Sequence, residues 1–202
     1  MRARVSLVVL ALLVGGCSNS ASNSASNRST STSVNANVAA PAPEGIDGVV
    51  AIPAADAKTD QAHVAGKVTY ATVPPTRGPH NALWQNCGFY TKAVIDENAV
   101  HSLEHGAVWI TYTEAADAAA RNKLAALAKA NRYVLVTPYP ANPAPFVLSA
   151  WGRQLKVDSI DDLRVARFID IYAQDGPTVP EVGAACSGAL GVAPDRPATL
   201  AS

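Results

Sequence analysis

Hydrophobic positions are unevenly spread along the chain. They form a short run at the extreme N-terminus, thin out to almost nothing, and return as a series of blocks in the second half. Residues 107–112, AVWITY, are apolar and β-branched and predict a strand. Residues 114–131 carry Ala, Leu and Lys at helical spacing, with Leu124, Leu127 and Ala128 on one face, and predict a helix. A second strand, YVLVT at 133–137, is stopped by Pro138 and Pro140. A loop with Pro143 and Pro145 then leads into 146–151, and a tight turn at Gly152-Arg153 returns the chain through 154–157 as a hairpin. Asp158 or Ser159 is placed to cap a closing helix that runs to about Ala173 and buries Ile160, Leu163, Val165, Phe168, Ile169 and Tyr172. The order β-α-β-β-β-α predicts one domain of the α/β (or α+β) class, a small mixed sheet packed by helices. A thioredoxin-like arrangement is compatible with it, although the chain has no CxxC.

The N-terminal run changes the picture of where this domain works. MRARVSLVVLALLVGG has an n-region with Arg2 and Arg4, an apolar stretch from Val5 to Val14 and small residues before Cys17, the pattern of a secretion signal over 1–16. The stretch is half the roughly 20 residues that a membrane span requires. Leu13-Val14-Gly15-Gly16-Cys17 resembles the bacterial lipobox, in which the cysteine thiol takes diacylglycerol and becomes the mature N-terminus. Further acylation, palmitate among the chains, strengthens such an anchor. Residues 17–43 are rich in Ser and Asn, hold no apolar side chain larger than valine, and predict a flexible tether. The expected location is therefore the extracytoplasmic side of a bacterial cell membrane or envelope, with the globular domain over 44–186 and a Gly/Pro/Ala tail over 187–202. Sixteen basic residues against sixteen acidic give a net charge of zero. No basic field exists to collect a polyanion, which argues against nucleic acid as a partner.

The unusual chemistry lies just before the predicted scaffold. All four histidines, His63, His80, His101 and His105, fall between residues 63 and 105. His80 ends VPPTRGPH, where prolines and Gly78 stiffen the loop that presents it. His101 and His105 lie in VHSLEHG, and on a helical turn their spacing of four puts both rings on one face beside Glu104.

The strings HVAGKVTYATVPPTRGPH, LWQNCGFY, VHSLEHGAVWITY, SAWGR and PEVGAAC, in this order over more than a hundred residues, resemble the bacterial domain-of-unknown-function family 3105. The resemblance implies a secreted or membrane-tethered α/β domain with histidines inside its signature segments, here His63, His80, His101 and His105. Arg77 stands where a small polar residue, commonly serine, is expected, so the hydrogen bonding of that loop departs from the family pattern.

Neutral imidazole is a good ligand for copper or zinc, and a pair at i and i+4 supplies two ligands at little entropic cost. His80 is the best third ligand, His63 a fourth or a group that orients a ring, and Glu104 can ligate or orient. Met1 lies in the signal, so no thioether remains for methionine-based Cu(I) chemistry. Cys87 and Cys186 have two readings. In an exported chain they form a disulfide; alternatively Cys87, close to His80 in sequence, is a metal ligand. Residues 101–105 also fit H-x-x-E-H, the inverted zinc-protease motif, but Gly106 ends the turn at once. A binding module is favoured over an enzyme, with a metal ion or an envelope protein as partner. The contrasting reading keeps the histidines structural and makes the proline-rich loop a surface for a cell-wall or envelope partner. Trp84, Trp109 and Trp151 read as packing residues, and Arg153 as a structural partner of Asp158, Asp161 or Asp162.

Overall fold

The structure is a computed structural model that describes residues 40–41 and 44–191. The expected signal segment, the expected lipidation site at Cys17, nearly all of the expected tether and the residues beyond 191 lie outside the described residues. Three helices and seven strands follow one another as β1 (Ala40–Pro41), β2 (Val50–Ala51), β3 (Gly88–Phe89), α1 (Asp96–Glu104), β4 (Val108–Tyr112), α2 (Ala118–Ala130), β5 (Val134–Pro138), β6 (Phe146–Ala150), β7 (Arg153–Val157) and α3 (Leu163–Tyr172). The expected βαβββα core is present as β4, α2, β5, β6, β7 and α3, and the fold is a mixed α/β sheet with helices.

The strands form one sheet in the order β1-β2-β7-β6-β4-β5-β3. β4 pairs parallel with β5, Trp109 opposite Leu135, and antiparallel with β6, Ile110 opposite Leu148. The parallel pair needs a crossover, and α2 supplies it. The loop through Pro140, Pro143 and Pro145 instead turns the chain back so that β6 lies antiparallel to β4, and the turn at Trp151-Gly152 joins β6 and β7 as an antiparallel hairpin. Every residue of β4 is buried because both its edges are paired and both its faces covered, which explains its unbroken apolar run.

Alternation along β4 divides two cores. Val108, Ile110 and Tyr112 join Leu124 of α2 and Val165, Phe168, Ile169 and Tyr172 of α3. Trp109 points the other way, with Leu135, onto Ala99, Val100 and Leu103 of α1, together with Trp151 and Cys186. Thus α1 and the signature segments occupy the opposite face of the sheet from the other two helices.

Several local expectations shift. α2 starts at Ala118 rather than 114, because the Asp117 carboxylate accepts from the Ala120 N–H at 2.7 Å and caps the helix there. α3 starts at Leu163, not after Asp158 or Ser159: residues 159–162 form a turn, and Asp162 is the cap, accepting from Arg164 N–H at 2.9 Å. Arg153 does not reach Asp158, Asp161 or Asp162; it pairs with Glu44 at 2.9 Å, closing the start of the domain against β7. Glu44 also accepts from the buried Tyr172 hydroxyl at 2.9 Å, and the guanidinium and hydroxyl outweigh burial to hold its carboxyl below the usual range.

Residues 52–95 contain little regular structure, yet they are tied to α1. Asn81 N–H donates to Glu97 O at 3.2 Å, Gln85 N–H to Asn98 O at 3.1 Å, and the Ser102 hydroxyl to Gln85 O at 2.6 Å. The buried Glu97 carboxylate accepts from Val68 N–H at 2.8 Å. Arg77 donates to both carboxylate oxygens of buried Asp60 at 3.0 and 2.9 Å and lies over the Trp151 ring. Arg77 thus holds its loop through an ion pair with Asp60. Hydrogen bonds continue beyond Cys186, where Asn86 N–H donates to Leu190 O at 2.7 Å.

Candidate metal centre

Two structural devices bring distant histidines together. A parallel bridge between His63 and His80, in which Val64 N–H donates to His80 O at 2.8 Å and His80 N–H to Ala62 O at 3.0 Å, clamps two loops side by side. α1 then presents His101 and Glu104 one turn apart against that clamp, with His105 as its C-cap. The helical turn expected for VHSLEHG is the last part of α1, whose start at Asp96 carries no side-chain cap that a sequence reading could register.

The rings touch one another. Their centroids lie 5.1 Å apart for His63 and His80, 4.7 Å for His63 and His101, and 4.8 Å for His80 and His101. His80, His101 and Glu104 are buried, whereas the His63 side chain is 48% exposed and forms the solvent edge of the cluster. Glu104 Oε2 is the common centre, 2.9 Å from His80 Nε2 and 3.9 Å from both His63 Nε2 and His101 Nε2. Ligand atoms of His63, His80, His101 and Glu104 all fall within 4.8 Å of one another, and this cluster could hold a metal ion.

The far side of each buried ring fixes its tautomer. His80 Nδ1 lies 2.9 Å from Gly78 O and His101 Nδ1 2.7 Å from Asn81 O; a carbonyl only accepts, so both Nδ1 atoms carry hydrogen. In the neutral ring Nε2 therefore offers a lone pair to the centre. For His101 the neutral form is secured: burial in the first place, then the neighbouring His80 and His105, push its pKa down to about 4 despite the Asn81 carbonyl. At His80 a lone pair and a carboxylate oxygen would face each other at 2.9 Å in a buried site. That contact is attractive only when a cation, a proton or a metal ion, lies between them. Imidazoles whose Nδ1–H is held by backbone carbonyls while Nε2 converges on a carboxylate are the donor arrangement of metal sites.

His105 lies outside this set of four, although its ring meets that of His101 edge-on at 4.5 Å. Its Nδ1 lies 2.9 Å from Ala185 O and its Nε2 3.2 Å from Glu181 Oε2, in a second group made of His101, His105 and Glu181. Glu181 escapes the sequence reading because a lone acid in PEVGAAC has no spacing to mark it; Trp84 is foreseen only as packing. The Trp84 ring lies 4.7 Å from His105 and 5.5 Å from His101, and Trp151 meets His80 edge-on at 5.9 Å. Cys87 is not a metal ligand: its sulfur is bonded to Cys186, with a Cα separation of 5.4 Å, and a disulfide sulfur has no thiolate to offer.

Fold and site together define a mixed α/β domain with a buried histidine–carboxylate cluster on the α1 face of its sheet. The profile of a family described as a protein of unknown function, DUF3105, matches residues 63–188, a span holding all four histidines, both bonded cysteines and Glu181, and the chain belongs to this family. No curated protein and no solved structure matches the chain.

Proposed function

We propose that this protein is a lipid-anchored, extracytoplasmic metal-binding module that holds copper or zinc for metal handling at the bacterial envelope. The observation that carries the reading is the convergence of His63, His80, His101 and Glu104, whose ligand atoms lie within 4.8 Å of one another while backbone carbonyls hold Nδ1 of His80 and His101. Three nitrogens and one oxygen are a donor set suited to Zn or Cu(II), and with the cysteines bonded to each other no thiolate is offered for Cu(I). The anchor is supported by the signal pattern over 1–16, the lipobox at Cys17 and the tether, and the disulfide agrees with an oxidising compartment. The inverted zinc-protease motif sits at the end of a nine-residue helix with its glutamate turned into the histidine cluster, which supports binding over hydrolysis.

The test is metal content by mass spectrometry and competition titration of the purified protein with Zn and Cu(II), alongside Glu104→Gln and His101→Ala. One ion per chain is expected, with affinity lowered at least about tenfold in each variant. Equal affinity in wild type and both variants would leave the cluster a structural ion pair and favour the envelope-partner reading. Cys17→Ser should move the protein from the membrane to the soluble fraction; if it stays, the anchor is wrong.

A further inference from the structure

The group His101, His105 and Glu181 repeats the construction of the inner cluster. His105 Nδ1 is committed to Ala185 O, so Nε2 is the atom turned toward the Glu181 carboxylate 3.2 Å away, as His80 Nε2 is toward Glu104. Ligand atoms of the three residues lie within 4.8 Å of one another. The two carboxylates differ in access, since Glu104 is 2% exposed and Glu181 50%. Glu181 is also strapped in place: its N–H donates to Glu104 O at 3.2 Å, Ala184 N–H donates back to Glu181 O at 3.1 Å, and Cys186 is bonded to Cys87 just beyond.

His101 belongs to both groups, and its Nδ1–H is fixed on Asn81 O, which leaves one lone pair, at Nε2. One lone pair serves one ion. Resting on the metal-binding reading above, we propose that His105 and Glu181 form an outer metal position in series with the inner one, and that a divalent ion passes between them while His101 stays bound. In that step the ion exchanges the His105 nitrogen and a Glu181 oxygen for the His80 nitrogen and a Glu104 oxygen. Donors leave and arrive as electron pairs, with no change of oxidation state. The ion never has to regain a full water shell, and the half-exposed carboxylate of Glu181 draws it from solution at the start. Trp84, tilted against both His105 and His101 at 4.7 and 5.5 Å, lies beside the junction and reports on it.

The experiment uses the whole purified protein and Cu(II), whose arrival quenches tryptophan fluorescence, followed by stopped flow, with stoichiometry and affinity measured by competition at equilibrium. Glu181→Gln keeps the size of a surface side chain and removes its charge, and His105→Gln removes the outer nitrogen. The expected result is one ion per wild-type chain and loading slowed at least about tenfold in both variants. Glu104→Gln, by contrast, weakens affinity. Loading at the wild-type rate in both outer variants overturns the serial position, as does binding of two ions per wild-type chain with equal affinity. A wild type that takes up no ion is a different failure, that of the metal-binding reading itself.

Discussion

At the scale of single residues, the cluster is built from hydrogen bonds that point away from it. Gly78 O and Asn81 O hold Nδ1–H of His80 and His101, so the Nε2 atoms are aimed at the centre of the cluster by the fold itself. His101 also ties the site to stability. Its folded-state pKa, about 4, lies below the 6.5 of an unfolded histidine, so the unfolded chain takes up the proton first as pH falls. The stabilisation is complete above about pH 6.5 and is lost as pH drops toward 4. We expect the metal-free protein to lose of order 2 kcal/mol between pH 7 and pH 5 in denaturant titrations, with a smaller loss in His101→Gln. An equal slope in both proteins would assign the acid sensitivity elsewhere.

Among the elements, α1 decides the site. It carries two of the four residues of the inner cluster and its own C-cap enters the outer group, so the way it ends governs both. It ends at Gly106, where φ is +91° and Gln174 N–H donates to Gly106 O at 2.8 Å. A Cβ there would be driven into the Gln174 carbonyl oxygen in a backbone conformation that L side chains avoid. Gly106→Ala should therefore destabilise the fold by about 3 kcal/mol, read as a lower thermal midpoint. Wild-type stability in this variant would mean that the junction between α1 and β4 tolerates a different path. Such a glycine is visible in the sequence as a helix stop after VHSLEHG, but the partner that makes it indispensable is 68 positions away, and local spacing holds no information about it.

For the whole molecule, the disulfide fastens the last strap to β3. Cys87 and Cys186 are 99 positions apart, and in the chain-entropy model closing a loop of that length constrains the unfolded state by up to about 4.7 kcal/mol. Cys87→Ser/Cys186→Ser should lose roughly 3 to 5 kcal/mol in chemical unfolding. Because Ala185 O and Glu181 ride on the same strap, the double variant should also loosen the contacts of His105 more than those of the inner cluster. A loss confined to well under 1 kcal/mol would show that the hydrogen bonds from Cys87 N–H to Cys186 O and from Asn86 N–H to Leu190 O hold the strap by themselves.

The sequence by itself determined the order of the βαβββα core and the family, because periodicity, prolines and short motifs are local and act through neighbours in the chain. It also pointed to the histidines, through their concentration in one stretch. The two-residue strands left no periodicity to read, and the start of α1 no capping side chain. Only the tertiary structure decided which donors meet: His63 and His80 through a bridge between loops, Glu104 at the centre of the inner group, His105 turned outward to Glu181, and Cys87 withdrawn into a disulfide. Each of those choices depends on which faces the packed cores bring together, and contacts between segments far apart in the chain are set by burial rather than by spacing.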